Sequence, residues 1–163
     1  MWREKYGHSL QVGFSFGLVS GVITCLGLIV GLAFGTQSRI AVIGGIVTIA
    51  IVDALSDALG IHIAEEAEGI HSNAEVWTST FATFASKFTM SISFLVPVLL
   101  LDLEPAVAAS VAWGLFAVAI VSWRLAKRQS EPVSSVVIEH VGVAVVVVAA
   151  SAIVGRWVAR VFV

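Results

Sequence analysis

The chain has 163 residues, of which 58% are hydrophobic and only 12% are charged, with a formal net charge of -2. A soluble domain usually carries about 25% charged residues, so this composition and a mean hydropathy of +1.00 indicate a protein of the lipid bilayer. The charge gives no indication of nucleic-acid binding. The single cysteine, Cys25, excludes an intrachain disulfide and a multi-cysteine metal site.

Five segments have the roughly 20 mostly apolar residues that a transmembrane helix needs. In chain order they lie near residues 13–34, 40–63, 78–101, 106–123 and 137–158. Because the connections between them are short, we expect one transmembrane domain over residues 1–163, an all-α bundle of five helices. The first segment is longer than the apolar core of a signal peptide, which is about 7–15 residues, so we expect it to stay as a membrane helix.

The orientation is predicted from the basic residues near the helix ends. One side has Arg3, Lys5, Arg124, Lys127 and Arg128, and the other has Arg39, Arg156 and Arg160. This bias favours a cytoplasmic N-terminus and an external C-terminus, in a prokaryotic plasma membrane or an organelle membrane.

The first segment carries glycines at a spacing of four residues. They are Gly13, Gly17, Gly21, Gly27, Gly31 and Gly35. At 100° per residue the six fall within about a third of the helix circumference, and a glycine face lets another helix approach closely. The partner helix could belong to the same chain, or to a second copy in a homodimer, and the sequence leaves both interpretations open.

The second segment carries two carboxylates, Asp53 and Asp57, which share a helix face because they are four residues apart. A carboxylate inside the membrane costs about 2.5–3.5 kcal/mol even on the lenient insertion scale. Each must therefore face a partner, a cavity or a transport pathway. Lys87 on the third segment lies at a similar predicted depth, so an ion pair with Asp53 or Asp57 is expected.

The second segment then runs into an acidic end. Its polar residues are His62, Glu65, Glu66 and Glu68. Such an end concentrates cations, and oxygen ligands with imidazole suit divalent ions such as Mn(II), Fe(II) or Zn(II). The alternative interpretation is a solvated helix end whose charges only aid solubility. Gly69 is expected to end the helix soon after.

Three further residues have two interpretations each. Met90 could offer a soft thioether ligand, or it could be a core side chain. Glu139 beside His140 could relay protons, whereas Glu139 could equally cap the start of the fifth helix. Pro97 is expected to kink or end the third helix.

Four stretches of the chain carry motifs of a known family. SGVITCLGLIVGL (residues 20–32) is similar to the signature Asp-Gly-Leu-Val-Thr-Thr-Leu-Gly-Leu, and DALSDALG (residues 53–60) is similar to Ala-Leu-Ser-Met-Ala-Ala-Gly-Glu-Tyr. FLVPVLL (residues 94–100) is similar to the end of that family's third helix, and residues 138–156 to its fifth. With these motifs the chain resembles the vacuolar iron transporter (VIT) family. The resemblance implies a five-helix, dimeric exchanger of divalent cations for protons.

The chain departs from the family pattern at several of its functional positions. The helix-one aspartate of the family corresponds to Ser20, its helix-two methionine to Asp57, its glutamate to Ile61 and its tyrosine to His62. The long cytoplasmic metal-binding insert of some members is absent, and Lys87 is not part of the pattern.

The leading hypothesis is a homodimeric transporter of divalent metal ions, Fe(II) or Mn(II) first, in exchange for protons. Asp53 and Asp57 would form the intramembrane site, and the acidic end would recruit the ion. We expect no enzymatic activity and no tightly bound cofactor, because the metal is the substrate. The alternatives are a non-transporting scaffold or accessory subunit with a structural Asp–Lys pair, and a proton-coupled carrier of a small organic cation.

Overall fold

The computed structural model describes residues 2–162, with side chains from Tyr6 onward, and within that range it is helical with no strand. The helices are α1 (Trp2–Thr36), α2 (Arg39–Glu68), α3 (Asn73–Ser93), α4 (Leu95–Leu100), α5 (Leu103–Gln129) and α6 (Val133–Phe162). The side chains of Arg3 and Lys5, on which the predicted orientation partly depends, lie outside this description.

Five stretches are long and apolar enough to cross a membrane, which confirms the predicted number of spans. They are Tyr6–Thr36, Arg39–Glu68, Asn73–Leu100, Leu103–Gln129 and Val133–Phe162. Each is longer than the segment predicted from hydropathy, because a helix continues past its apolar core until a cap or a turn ends it. A helix of 30 residues is about 45 Å long, against about 30 Å for the hydrocarbon core.

The ends of the helices follow from local side chains. Ser38 caps α2 by accepting a hydrogen bond from the Ala41 backbone N–H at 3.3 Å. Gly69 ends α2 in the left-handed region, with φ of 67°, as the sequence predicted. Ser72 and Glu75 form a capping box at the start of α3, because Glu75 Oε2 accepts hydrogen bonds from the Ser72 N–H and hydroxyl.

Pro97 accounts for the break in the third span. Proline has no N–H to donate to the carbonyl four residues earlier, at Ser93, and α3 ends at that residue. Phe94 keeps helical backbone angles, and its N–H bonds to the Ser91 carbonyl at 3.2 Å. The chain therefore continues into α4 after this interruption, and α3 ends just before Pro97, as predicted for a proline that kinks or ends the helix.

The first helix is the centre of the bundle, because α1 contacts α2, α3, α5 and α6. Its buried side chains Val22, Leu26 and Ile29 belong to a hydrophobic core that also takes Phe94 from the kink and Val118 from α5. By contrast, α6 lies at the periphery of the bundle, and Ala144 and Gly155 are its only buried residues. The core thus fixes α1, α2 and α3 relative to one another, and these three helices carry the candidate site.

The glycines of α1 pack inside the monomer. A Cβ added at Gly13 would lie 2.2 Å from the Ser79 carbonyl oxygen of α3, and one added at Gly35 would lie 3.5 Å from the backbone of Gly155 in α6. The remaining four contact the same two helices: Gly17 and Gly21 face α3, and Gly27 and Gly31 face α6. The homodimer seam considered for this glycine face is therefore wrong, since α3 and α6 of the same chain already fill it.

Gly17→Ala is expected to destabilise the fold by about 1–3 kcal/mol, the usual effect of overpacking. The new Cβ would lie 2.1 Å from Ser86 Oγ and 2.4 Å from the Thr83 carbonyl oxygen, so α1 and α3 must separate. The matched control is Gly44→Ala in α2, where a Cβ meets nothing within 4 Å. The control should be neutral or slightly stabilising, because alanine favours a helix over glycine. Thermal unfolding in detergent measures both, and equal melting temperatures would contradict this packing.

Candidate functional site

A lysine and two aspartates meet in the middle of the spans. Lys87 Nζ lies 2.6 Å from Asp53 Oδ2 and 2.5 Å from Asp57 Oδ2. The predicted pairing of Lys87 with Asp53 or Asp57 is therefore confirmed, and it involves both carboxylates at once. Asp53 lies halfway along α2 and Lys87 halfway along the span formed by α3 and α4, so the ion pairs are far from either end of these two spans.

Ser20 of α1 completes the group, which we call the Asp–Lys cluster (Ser20, Asp53, Asp57 and Lys87). Ser20 Oγ donates a hydrogen bond to Asp57 Oδ2 at 2.5 Å and accepts one from Lys87 Nζ at 3.0 Å. Asp53 Oδ2 accepts no hydrogen bond from the described residues, so its contact with Lys87 is an ion pair only. Asp57 is consequently held by more partners than Asp53.

The Asp–Lys cluster is buried on its lysine side and open on its carboxylate side. The side chain of Lys87 is 1% exposed, whereas those of Asp53 and Asp57 are 31% and 22% exposed. One ammonium against two carboxylates leaves a net charge of -1 when all three groups are ionised. Excess negative charge at membrane depth needs a cation, water or a protein partner on the open side.

The local sequence explains how the three helices reach this arrangement. The spacing of four residues puts both aspartates on one face of α2. Gly21 lets α1 pass close to the lysine, because a Cβ there would lie 3.2 Å from the Lys87 carbonyl oxygen and 3.4 Å from its Cγ. The glycine face of α1 therefore makes room for the lysine stem and brings Ser20 to the aspartates.

The acidic end of α2 is less exposed than expected. Glu65 is 6% exposed, and its Oε2 lies 3.2 Å from His71 Nδ1 in the loop before α3. Glu68 lies 3.8 Å from the same nitrogen, with its side chain 60% exposed, and Glu66 is exposed. The alternative interpretation of a solvated helix end does not hold for Glu65, because the turn at Gly69 returns His71 onto that carboxylate.

His62 does not join the acidic residues. Its Nδ1 lies 3.0 Å from Thr80 Oγ1 of α3, and its ring packs edge-on against Trp77 with centroids 4.7 Å apart. His62 therefore packs against α3, and Glu66, one turn on, is exposed. The set of oxygen and imidazole ligands suggested for the acidic end is not assembled around His62.

The other predicted site residues are dispersed. Met90 is 7% exposed and belongs to the hydrophobic core, in line with the packing interpretation. His140 Nδ1 lies 2.9 Å from Ser122 Oγ of α5, and Glu139 beside it is exposed near the start of α6. The structure brings neither Glu139 nor His140 to the Asp–Lys cluster.

Among residues 6–162 there is no group of three or more His, Cys, Asp and Glu side chains arranged to hold a metal ion. The Asp–Lys cluster offers two carboxylates and one hydroxyl, which are oxygen donors of the kind that hard divalent cations prefer. Lys87 occupies the position between them, so a cation that used these oxygens would have to displace the ammonium. Ser20 was not among the predicted site residues, although the resemblance pairs it with the family's helix-one aspartate and so offered a signal for it.

The fold and the site define an integral membrane protein of five spans with an intramembrane lysine–dicarboxylate cluster. Comparison of this chain with protein-family models, with curated proteins and with solved structures found no match. The resemblance to the vacuolar iron transporter family therefore stays a prediction.

Proposed function

We propose that the protein is a homodimeric membrane transporter that carries a divalent metal ion, Fe(II) or Mn(II) first, in exchange for protons. The observation that carries the proposal is the Asp–Lys cluster, where two partly exposed carboxylates halfway along an apolar span contact a single lysine ammonium. Ionisable residues within transmembrane segments are rare, and they typically mark substrate and ion pathways.

Charge balance supports the exchange. A divalent ion beside a charged Lys87 would set three positive charges against two carboxylates in a medium of low dielectric constant. Binding of the metal therefore favours departure of the lysine charge, by rotation of its flexible side chain or by release of its proton. In either case, while no substrate is bound, the Lys87 ammonium balances part of the carboxylate charge and keeps the two side chains in position.

The partial exposure of the carboxylates supports a second protomer. The neighbouring side chains on α2 are apolar and face outward, among them Val52 and Leu55, which are 61% and 55% exposed. Carboxylates on such a surface are unfavourable against lipid, so a partner covering this part of α2 would enclose the site and leave a wet path between the protomers. Ser20 lies at the position that the VIT resemblance pairs with the family's helix-one aspartate, and its contacts with Asp57 and Lys87 also support the proposal.

A second candidate function is a non-transporting scaffold or accessory subunit. It is favoured by the burial of Lys87, which is 1% exposed, donates hydrogen bonds to Ser20 and Asp57 and forms an ion pair with Asp53, as a purely structural lysine would. In that case the Asp–Lys cluster fixes the packing of α1, α2 and α3 and carries nothing.

Flux in proteoliposomes distinguishes the two. We expect Fe(II) or Mn(II) to enter liposomes that contain the protein, with protons moving the opposite way, as followed by a metal-sensitive and a pH-sensitive dye. Protein-free liposomes give the background rate. Absence of flux with Fe(II), Mn(II) and Zn(II) alike would favour the scaffold, and flux of a small organic cation alone would assign a different substrate class to the same carboxylates.

A further inference from the structure

An open groove runs between α1 and α5, away from the Asp–Lys cluster. It has a volume of about 510 Å³ and is lined mostly by apolar side chains, with Met90 of α3 in its wall. Phe14 and Phe116 are 49% and 58% exposed along it. Beyond the groove α1 and α5 come together, since a Cβ on Gly114 would lie 2.9 Å from Leu26.

Among the residues whose side chains the structure describes, 6–162, the charged ones that line the α1–α5 groove are two arginines. Arg124 and Arg128 are one helical turn apart on α5, and both are exposed at the same end of the groove. Arg128 donates a hydrogen bond to Gln11 of α1, which anchors its guanidinium at the mouth. A Cβ on Gly7 would meet no described atom within 4 Å, so none of the side chains from Tyr6 onward covers this end of the groove at Gly7.

The groove has the length of one leaflet. Trp113 and Arg128 are fifteen residues apart on α5, and both line the groove, so it extends about 22 Å at 1.5 Å per residue. One leaflet contributes half of the hydrocarbon core, which is about 15 Å, so the rest of the groove's length reaches the headgroup layer. The arginines thus lie at headgroup depth and the aromatic residues at acyl-chain depth.

We propose that the α1–α5 groove binds an anionic glycerophospholipid from the leaflet on the side of the N-terminus. One acyl chain lies along Phe14 and Phe116 toward Met90, and the phosphate lies against Arg124 and Arg128. The planar guanidinium fork matches phosphate oxygens in a bidentate manner, and among residues 6–162 no acidic side chain lines the groove to compete for it. Basic pockets between transmembrane helices bind anionic headgroups in the same way.

Native mass spectrometry of the purified full chain, titrated with phosphatidylglycerol or with phosphatidylcholine of the same acyl chains, tests the proposal. We expect phosphatidylglycerol to bind at one saturable site and phosphatidylcholine to bind more weakly. Arg124→Gln with Arg128→Gln should weaken phosphatidylglycerol binding about thirtyfold, since each basic residue near the headgroups contributes about fivefold. Ala117→Phe should also weaken it, because the ring fills the groove and leaves the charge unchanged.

The matched control is Lys127→Gln. Lys127 lies on the same end of α5 but outside the groove, over the ring of Trp123. The control should change phosphatidylglycerol binding less than twofold. An equal loss with Lys127→Gln would show diffuse attraction to the helix end, and binding of Ala117→Phe at the wild-type level would show that no acyl chain occupies the groove. Either result overturns the proposal, as would equal affinity for the two lipids or displacement of the lipid by inorganic phosphate alone.

Discussion

Lys87→Met is expected to destabilise the folded protein by about 3–5 kcal/mol, the usual effect of removing one member of a buried ion pair. The ammonium of Lys87 is within 2.6 Å of both Asp53 and Asp57, and its side chain is 1% exposed. Methionine keeps the length of the side chain but leaves two neighbouring carboxylates without a counter-charge in a medium of low dielectric constant. Unfolding in detergent, followed by circular dichroism against temperature, measures the loss.

Removing the stranded charges should restore much of this stability. Lys87→Met combined with Asp53→Asn and Asp57→Asn contains no intramembrane charge at the cluster, so the losses should be strongly non-additive. The matched control is Lys127→Met, at the exposed end of α5, which should unfold like the unmodified protein. If Lys87→Met and Lys127→Met had the same melting temperature, the Asp–Lys cluster would not hold α2 against α3 as the structure indicates.

The spans and the pairing of Lys87 could be predicted from the sequence because both depend on position along the chain. Apolar length predicts a membrane helix, and equal depth on adjacent antiparallel helices brings Lys87 to Asp53. The chemistry of single residues also predicted the breaks at Gly69 and Pro97, since one favours positive φ and the other lacks an N–H.

The surroundings of each side chain could not be predicted, because they depend on how each helix is rotated and crossed. Periodicity showed that the glycines of α1 allow close approach, but the same face suits a helix of the same chain or of a partner. Likewise, nothing in the sequence of α2 says that His62 faces Thr80, or that the loop returns His71 to Glu65. The position of Ser20 needs the crossing of α1 with α2 and α3 at one depth, which is a property of the packed bundle.

The pairing geometry also changes what is expected of the two aspartates. A division of labour, with Asp53 paired to Lys87 and Asp57 left for transport, follows from the sequence if the lysine has one partner. In the structure both carboxylates contact Lys87, and Asp57 also accepts the hydrogen bond from Ser20. Stability should therefore depend on both aspartates, and a test of transport must separate loss of flux from loss of folding.

Asp57→Asn is expected to reduce metal flux at least about 100-fold, because it removes a charged ligand, and loss of even a second-shell partner costs about 10–100-fold in metal affinity or activity. The amide keeps the size of the side chain and one carbonyl oxygen, so it can still accept the hydrogen bond from Ser20 Oγ. Lys87 keeps Asp53 as a counter-charge, so the variant should fold, and its melting temperature is measured on the same preparation as its flux.

Ser20→Ala is the companion variant: it removes the hydroxyl but leaves all three charges, so its flux should fall less than that of Asp57→Asn. A folded Asp57→Asn protein that carried Fe(II) and Mn(II) at the unmodified rate would contradict metal binding at this cluster. Loss of flux in Asp57→Asn with an unchanged melting temperature would exclude a purely structural role, because a scaffold has no flux to lose.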